Sequence, residues 1–217
     1  MRRSLVCDIE TFAIHDAAQY LEPVEAPSNY KDEAKIAAYI KEAEAKQLGR
    51  CALDPDLCRI VALGWMHEGN DHPEVLITPD EQTERYALEM FWRVAHERTL
   101  VTFHGLAFDL PVLMRRSLYL GIEHPILNLD KYRTPHCDLL ARLTFNGVLP
   151  AHKLRFYLAR FGIPVDDLTT GKDIAALVEA NDWKGVMAHC EADVRGTHAL
   201  AQRLGYIGVA QEVAHVR

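Results

Sequence analysis

Four acids and one histidine carry the chemistry that this sequence can offer. The run Leu5-Val6-Cys7-Asp8-Ile9-Glu10 reads as a strand, and alternation puts Asp8 and Glu10 on one face with Ile9 on the other. An acid inside a buried strand is costly unless it is paired or coordinates a metal. Asp109 follows Phe103-His104-Gly105-Leu106-Ala107-Phe108, a strand end and a glycine turn, and stands at a helix start. There it either caps the helix or delivers a carboxylate to the end of a sheet. His189 and Asp193 are four apart in His189-Cys190-Glu191-Ala192-Asp193-Val194, so on one helix they share a face. Asp193 would complete a metal cage and His189 would address water at that cage. Taken singly, each segment also has an ordinary reading as a strand terminus, a helix cap or a local surface pair.

The elements that must position these groups are legible in outline. A strand over Arg59 to Met66 follows the Asp54-Pro55 turn, and Glu74 to Ile77 gives a third, so that the first three strands form a meander. Pro79 and Asp80 open a helix on which Tyr86, Met90, Phe91, Val94 and Ala95 recur at helical spacing, ending near Arg98. Leu100 to Phe103 is the next strand, broken by Gly105, and a helix runs from Asp109 through Arg116. Helices are expected over Cys137 to Phe145, Leu154 to Phe161, Ile174 to Glu179 and Trp183 to Leu204. Between the first and second strands, Thr11 to Asn29 reads as weakly patterned chain. Ala34 to Lys46, rich in Ala, Glu and Lys, reads as an exposed helix or a mobile flap. A strand-rich first half and a helical second half define an α/β layered fold. No glycine-rich phosphate loop follows the first strand, which makes a classical dinucleotide fold a poor match.

The 217 residues, 49% of them hydrophobic, suffice for one domain over 1–217, with a flap or insertion at 20–50. Lys and Arg number 24 against 31 Asp and Glu, a net charge of -7. That balance excludes an extended electrostatic binder of nucleic acid and leaves local basic patches, bound ions and contacts to a chain end. The candidate patches are Arg115 with Arg116, Lys131 with Arg133, Lys153 with Arg155, and Lys172. Cys7, Cys51, Cys58, Cys137 and Cys190 form no CxxC pair, which reads as a reduced intracellular protein. Without a signal-like start or an apolar run of membrane length, a cytoplasmic location with no membrane partner is expected.

Asp8-Ile9-Glu10-Thr11-Phe12, His104-Gly105-Leu106-Ala107-Phe108-Asp109-Leu110-Pro111 and His189-Cys190-Glu191-Ala192-Asp193-Val194 resemble the three exonuclease motifs of the DEDD superfamily. They look most like the stand-alone branch related to the proofreading domain of family B DNA polymerases. Leu53-Asp54-Pro55 before Arg59-Ile60-Val61-Ala62-Leu63-Gly64, and His136-Cys137-Asp138-Leu139, extend the resemblance over most of the chain. It implies a ribonuclease H-like fold with a mixed central β-sheet flanked by helices. It also implies a 3'-5' exonuclease with two divalent ions, Mg²⁺ or Mn²⁺, held by Asp8, Glu10, Asp109 and Asp193. Such ions, ~4 Å apart, activate water on one side and stabilise the leaving 3' oxygen on the other. By the resemblance Asp8 bridges the ions, Asp193 joins it on the nucleophile side, Asp109 holds the other ion, and Glu10 orients the water or terminal nucleotide.

The sequence departs from the pattern at His189. One branch of the superfamily places Tyr four residues before the last Asp and another places His five before it, whereas this chain has His at the Tyr-like spacing. His189 is expected to help the attacking water. Thr11, Phe12, His104, Leu106 and Phe108 are the expected substrate contacts, with core packing the competing role for Phe108. The implied partner is the 3' end of single-stranded DNA or RNA. The competing function is a catalytically weak or inactive nucleic-acid-binding or protein-interaction module of the same fold.

Overall fold

A computed structural model describes residues 3–165 and 169–208. Its centre is Ser4–Ala13 (β1), whose residues Leu5, Val6 and Cys7 are buried on both faces of the sheet. Cys58–His67 (β2) pairs antiparallel with β1, and Glu74–Ile77 (β3) pairs antiparallel with β2, which is the expected meander. On the other side of β1, Thr99–Thr102 (β4) and Cys137–Asp138 (β5) add in parallel, giving the order β3-β2-β1-β4-β5. The sheet is therefore mixed, with helices on both faces, as a ribonuclease H-like layered fold requires.

Alternation along β1 divides the core in two. Leu5, Cys7 and Ile9 point to one face, where they meet Leu88 and Phe91 of Glu81–Ala95 (α2) and Leu110 and Leu113 of Asp109–Tyr119 (α3). Val6 points to the other face, against Val186, Cys190, Val194 and Leu200 of Trp183–Arg203 (α7). Asp8 and Glu10 continue the phase of Val6, so the period-2 rule aims both acids at α7. Leu139–Leu143 (α4), Leu154–Arg160 (α5) and Ile174–Glu179 (α6) pack around α7 on that face.

Local chemistry explains where these elements start. The Asp80 carboxylate accepts from the Thr83 N–H while the Asp80 N–H donates to Thr83 Oγ1, a capping box that starts α2. Asp182 accepts from the Gly185 N–H and starts α7. Gly64, opposite Asp8 in the ladder, lets α7 lie close: a Cβ there would stand 2.8 Å from both Cys190 Sγ and Val194 Cγ2.

Two expectations about elements are corrected. The helix expected over Cys137 to Phe145 is shorter, because Cys137 and Asp138 pair with Val101 and Thr102 of β4, and Asp138 then caps α4. The weakly patterned stretch after Glu10 is partly ordered: β1 runs on to Ala13 and a short 3-10 turn covers Ala17–Tyr20. The exposed helix expected over Ala34 to Lys46 is present and longer, Glu33–Cys51 (α1), capped by Asp32.

Candidate active site

The middle of β1, the first turn of α3 and the middle of α7 bring their acids together at one end of the sheet. Asp8, Glu10, Asp109, His189 and Asp193 all line a hollow of about 530 Å³ with His104, Phe103 and Phe108. Glu10 and Asp109 are almost fully buried, while Asp193 stands partly open to solvent. Asp109 belongs to the opposite layer from α7 but reaches the hollow from the first turn of α3. There the backbone N–H groups of Asp109 itself and of Ile9 favour its charged form. Of the two readings of Asp109, the helix cap is not met, since Phe108 is the N-cap and no side chain caps α3, while the carboxylate does reach the end of the sheet.

Burial and mutual repulsion dominate the electrostatics. Asp8 is pushed well above the ordinary carboxylate range, by desolvation first and then by Asp109, Asp193 and Glu10. Asp109 is pushed up to about 7, again chiefly by burial, with Asp138 and Asp193 adding to the repulsion and the nearby Asp109 and Ile9 N–H groups opposing it. Acids crowded in this way gain from a cation that replaces the lost water. The donor set fits a hard divalent ion, since it is made of carboxylate oxygens. One ligand atom each from Glu10, His189 and Asp193 lies within 4.8 Å of the others, and the same holds for Asp8, Glu10 and Cys190.

His189 is buried on α7. Its Nε2 lies 3.6 Å from Glu10 Oε1 and 3.9 Å from Asp193 Oδ2, and its Nδ1 is 2.9 Å from Thr169 Oγ1. The i,i+4 spacing read from the sequence does bring His189 and Asp193 to a common pocket. Cys190 is fully buried beside them; burial and the acids push its thiol well up, so it remains a thiol, 4.0 Å from the Asp8 carbonyl oxygen, and packs α7 against β1.

The expected substrate contacts separate. Phe108 and His104 line the acid hollow. Thr11 lines a second, larger hollow of about 920 Å³ that shares Ile9, Glu10, Leu53, Phe108, His189 and Asp193 with the first, and its hydroxyl donates to Ala52 O at the end of α1. Leu106 packs in the α2–α3 core and Phe12 against the opposite core, with the Arg59 guanidinium over its ring, and neither lines either hollow. Among the basic candidates, Arg116 is not available for phosphate: it is buried and bidentate to Glu84, which also accepts from the Ile60 N–H. Arg115 pairs with Asp56, and Lys131 donates to Asn146 O. Lys153, Arg155 and Lys172 line the larger hollow, joined by Arg195.

Two positioning residues escaped sequence reasoning. Thr169 holds the His189 ring from a loop distant in sequence, and nothing in its neighbourhood marks it. Asp138 does more than cap α4: its carboxylate accepts from Ala141, His104 and Leu106 N–H groups, anchoring the loop before Asp109. His104 adopts φ 70° in that loop, so the anchor holds a backbone conformation that costs energy.

Four acids and a histidine gathered at one end of a ribonuclease H-like sheet are the arrangement that the resemblance to the DEDD 3'-5' exonucleases leads one to expect. Over residues 53–209 the sequence matches the family described as "Predicted 3'-5' exonuclease related to the exonuclease domain of PolB", and the chain belongs to that family. Asp109, His189 and Asp193 fall within the match, and Asp8 and Glu10 precede it. Among solved structures, the family B DNA polymerase of the hyperthermophilic archaeon Pyrobaculum calidifontis is similar, at 17% identity and TM-score 0.59, over 94% of this chain and 24% of the polymerase chain. A product-bound exonuclease I is similar at 12% identity and TM-score 0.49, over 95% of this chain and 44% of that one. E. coli Exonuclease I in complex with a dT13 oligonucleotide gives 14% identity and TM-score 0.44, over 94% and 41%. The chain thus spans about a quarter of the polymerase and less than half of the exonuclease I chains. No curated protein matches the sequence.

Proposed function

We propose that this enzyme hydrolyses phosphodiester bonds at the 3' ends of single-stranded DNA or RNA with two Mg²⁺ or Mn²⁺ ions. Asp8, Glu10, Asp109 and Asp193 would hold the ions. The observation that carries the reading is the convergence of all four carboxylates and the His189 ring on one hollow, from three separate elements. When bound, the ions supply charge neutralisation for the phosphodiester and a water acidic enough to attack it. His189 has the role of proton acceptor at Nε2. A Thr169 hydroxyl that accepts from Nδ1–H leaves Nε2 with a lone pair directed between Glu10 and Asp193. His104 and Phe108, on the wall of the hollow, would meet the terminal nucleotide, and Thr11 and the cations of the larger hollow would meet the strand behind it. The free cysteines, all buried, support a reducing and hence cytoplasmic setting. We read 1–217 as one unit in which the 20–50 segment is a flap, a reading supported by Gly49, Ala52 and Leu53 at the end of α1 on the wall of the larger hollow.

The test is stepwise shortening of 5'-labelled single strands, DNA and RNA, with Mg²⁺, Mn²⁺ and chelator. Metal-dependent ladders that vanish in Asp8→Ala support the reading; no shortening under any metal overturns it. For His189, Ala is expected to lower kcat and flatten its rise with pH, while Tyr retains part of the rate. Wild-type kinetics in both variants across pH would remove the proton-accepting role.

A further inference from the structure

In a chain with 31 acids, residues 139–165 contain none, while they carry Arg142, Lys153, Arg155 and Arg160. The structure places aromatic rings within this same stretch. His152 and Phe156 stack at 4.0 Å between centroids with 25° between planes. Phe156 meets Tyr157 edge to face at 5.4 Å, and Tyr157 meets Phe103 at 5.9 Å. Phe103 lines the acid hollow, and Lys153 and Arg155 line the larger one. A chain of rings therefore leads from the acids to the surface through α5, with cations along it.

The outer members are poorly explained by packing. Leu154, Tyr157 and Leu158 form the buried face of α5, whereas Phe156 is 41% exposed and its stacking partner His152 is also exposed. Phe145, 67% exposed, stands in the same acid-free stretch. A single exposed aromatic is ordinary. A stacked pair beside cations, free of acids and continuous with a nuclease hollow, is what an anionic strand with flat bases would meet. Bases in a duplex have their faces occupied, while those of a single strand are open to stacking on protein rings.

We infer that the His152–Phe156 ring pair is a stacking track for the bases of a single nucleic-acid strand upstream of the acid hollow, with Lys153 and Arg155 meeting its phosphates. The assignment rests on the exonuclease reading above and names how that enzyme selects single strands. The track acts on the π-face, so it takes DNA and RNA alike.

The test measures binding by fluorescence anisotropy in chelator, where nothing is cut. A short labelled oligothymidylate is compared with an abasic strand of the same length. Wild type is expected to prefer the strand with bases by roughly tenfold, the value of one good stacking contact. Phe156→Ala and His152→Ala should each lose most of that preference, and Phe156→Tyr should keep it. Equal binding of the two strands by wild type, or an undiminished preference in both alanine variants, would overturn the track. Because binding is read without cleavage, those results leave the exonuclease reading standing. Conversely, absent cleavage with a Phe156-dependent preference would remove the nuclease reading and keep the track.

Discussion

Asp8 sits where several demands conflict. Its carboxylate is taken out of water and faces three other acids, which is why its pKa rises well above the ordinary range. Function needs that charge and stability does not. Asp8→Asn is therefore expected to raise the melting temperature of the chelator-treated protein, by roughly 2–4 °C for each kcal/mol of relieved repulsion. The same variant should lose both cleavage and the rise in melting temperature that Mn²⁺ gives wild type. Thermal melts with and without Mn²⁺ check both halves, and a lower metal-free melting temperature would show that Asp8 stabilises the fold by its own contacts. Thr169 offers a second case. Removing its hydroxyl with Thr169→Val costs the His189 ring one hydrogen bond, worth about 1 kcal/mol, so kcat should fall roughly fivefold. An unchanged melting temperature distinguishes this from a general loss of fold. The residue types of the site were legible in sequence because a strand's period and a helix's i,i+4 spacing are local properties. Thr169 was not, because its hydroxyl meets His189 only through the packing of a loop against α7.

At the scale of elements, the site depends on how closely α7 lies on the sheet. Gly64 sets that distance, since any side chain there would press on Cys190 and Val194. Gly64→Ala is expected to destabilise the protein by about 1–3 kcal/mol, the usual cost of overpacking, and to lower kcat by moving His189 and Asp193 away from β1. Cys190→Ala in the same chain should restore part of both, because it removes the sulfur that the new methyl meets. Denaturant melts and kcat of the single and double variants test this; no recovery would mean that Val194 is the hard contact. Gly64 was read in the sequence only as part of a strand motif. The reason for glycine becomes visible once β2 and α7 are face to face. The same holds for Arg116, a candidate for phosphate by sequence, which the packing of α3 on α2 turns inward to Glu84. Cys137 and Asp138 show a related effect: two residues at the head of a helical pattern join the sheet because β4 offers them an edge.

Over the whole molecule, stability is tied to pH away from the site. His198 on α7 is buried, and its Nε2 is without a hydrogen-bond partner among the described residues. Desolvation lowers its pKa, with Glu68, Asp71 and the His67 carbonyl opposing the shift. The folded state thus binds fewer protons than the unfolded one. Its contribution is fully present above the ordinary histidine value, ~6.5, and is lost as pH falls through the folded pKa. The urea midpoint should fall between about pH 7 and pH 5, and His198→Gln should flatten that fall. An identical pH slope in the variant would assign the dependence to other groups. Glu68 acts in the same direction at lower pH: the Gly208 and Ser4 N–H groups hold its carboxylate below the usual range while it joins the end of α7 to the start of β1.

The sequence by itself determined the three acidic motifs, their order, the α/β layered class and the face of β1 that bears Asp8 and Glu10, all of which follow from local periodicity and residue type. Only the tertiary structure decided that the Asp109 carboxylate joins the acids of β1, that Thr169 orients His189, that Arg116 is spent on Glu84, and that a line of rings leads outward from the acids. These are distances between segments far apart in the chain, and they are set by strand order and helix packing rather than by any pattern within a segment.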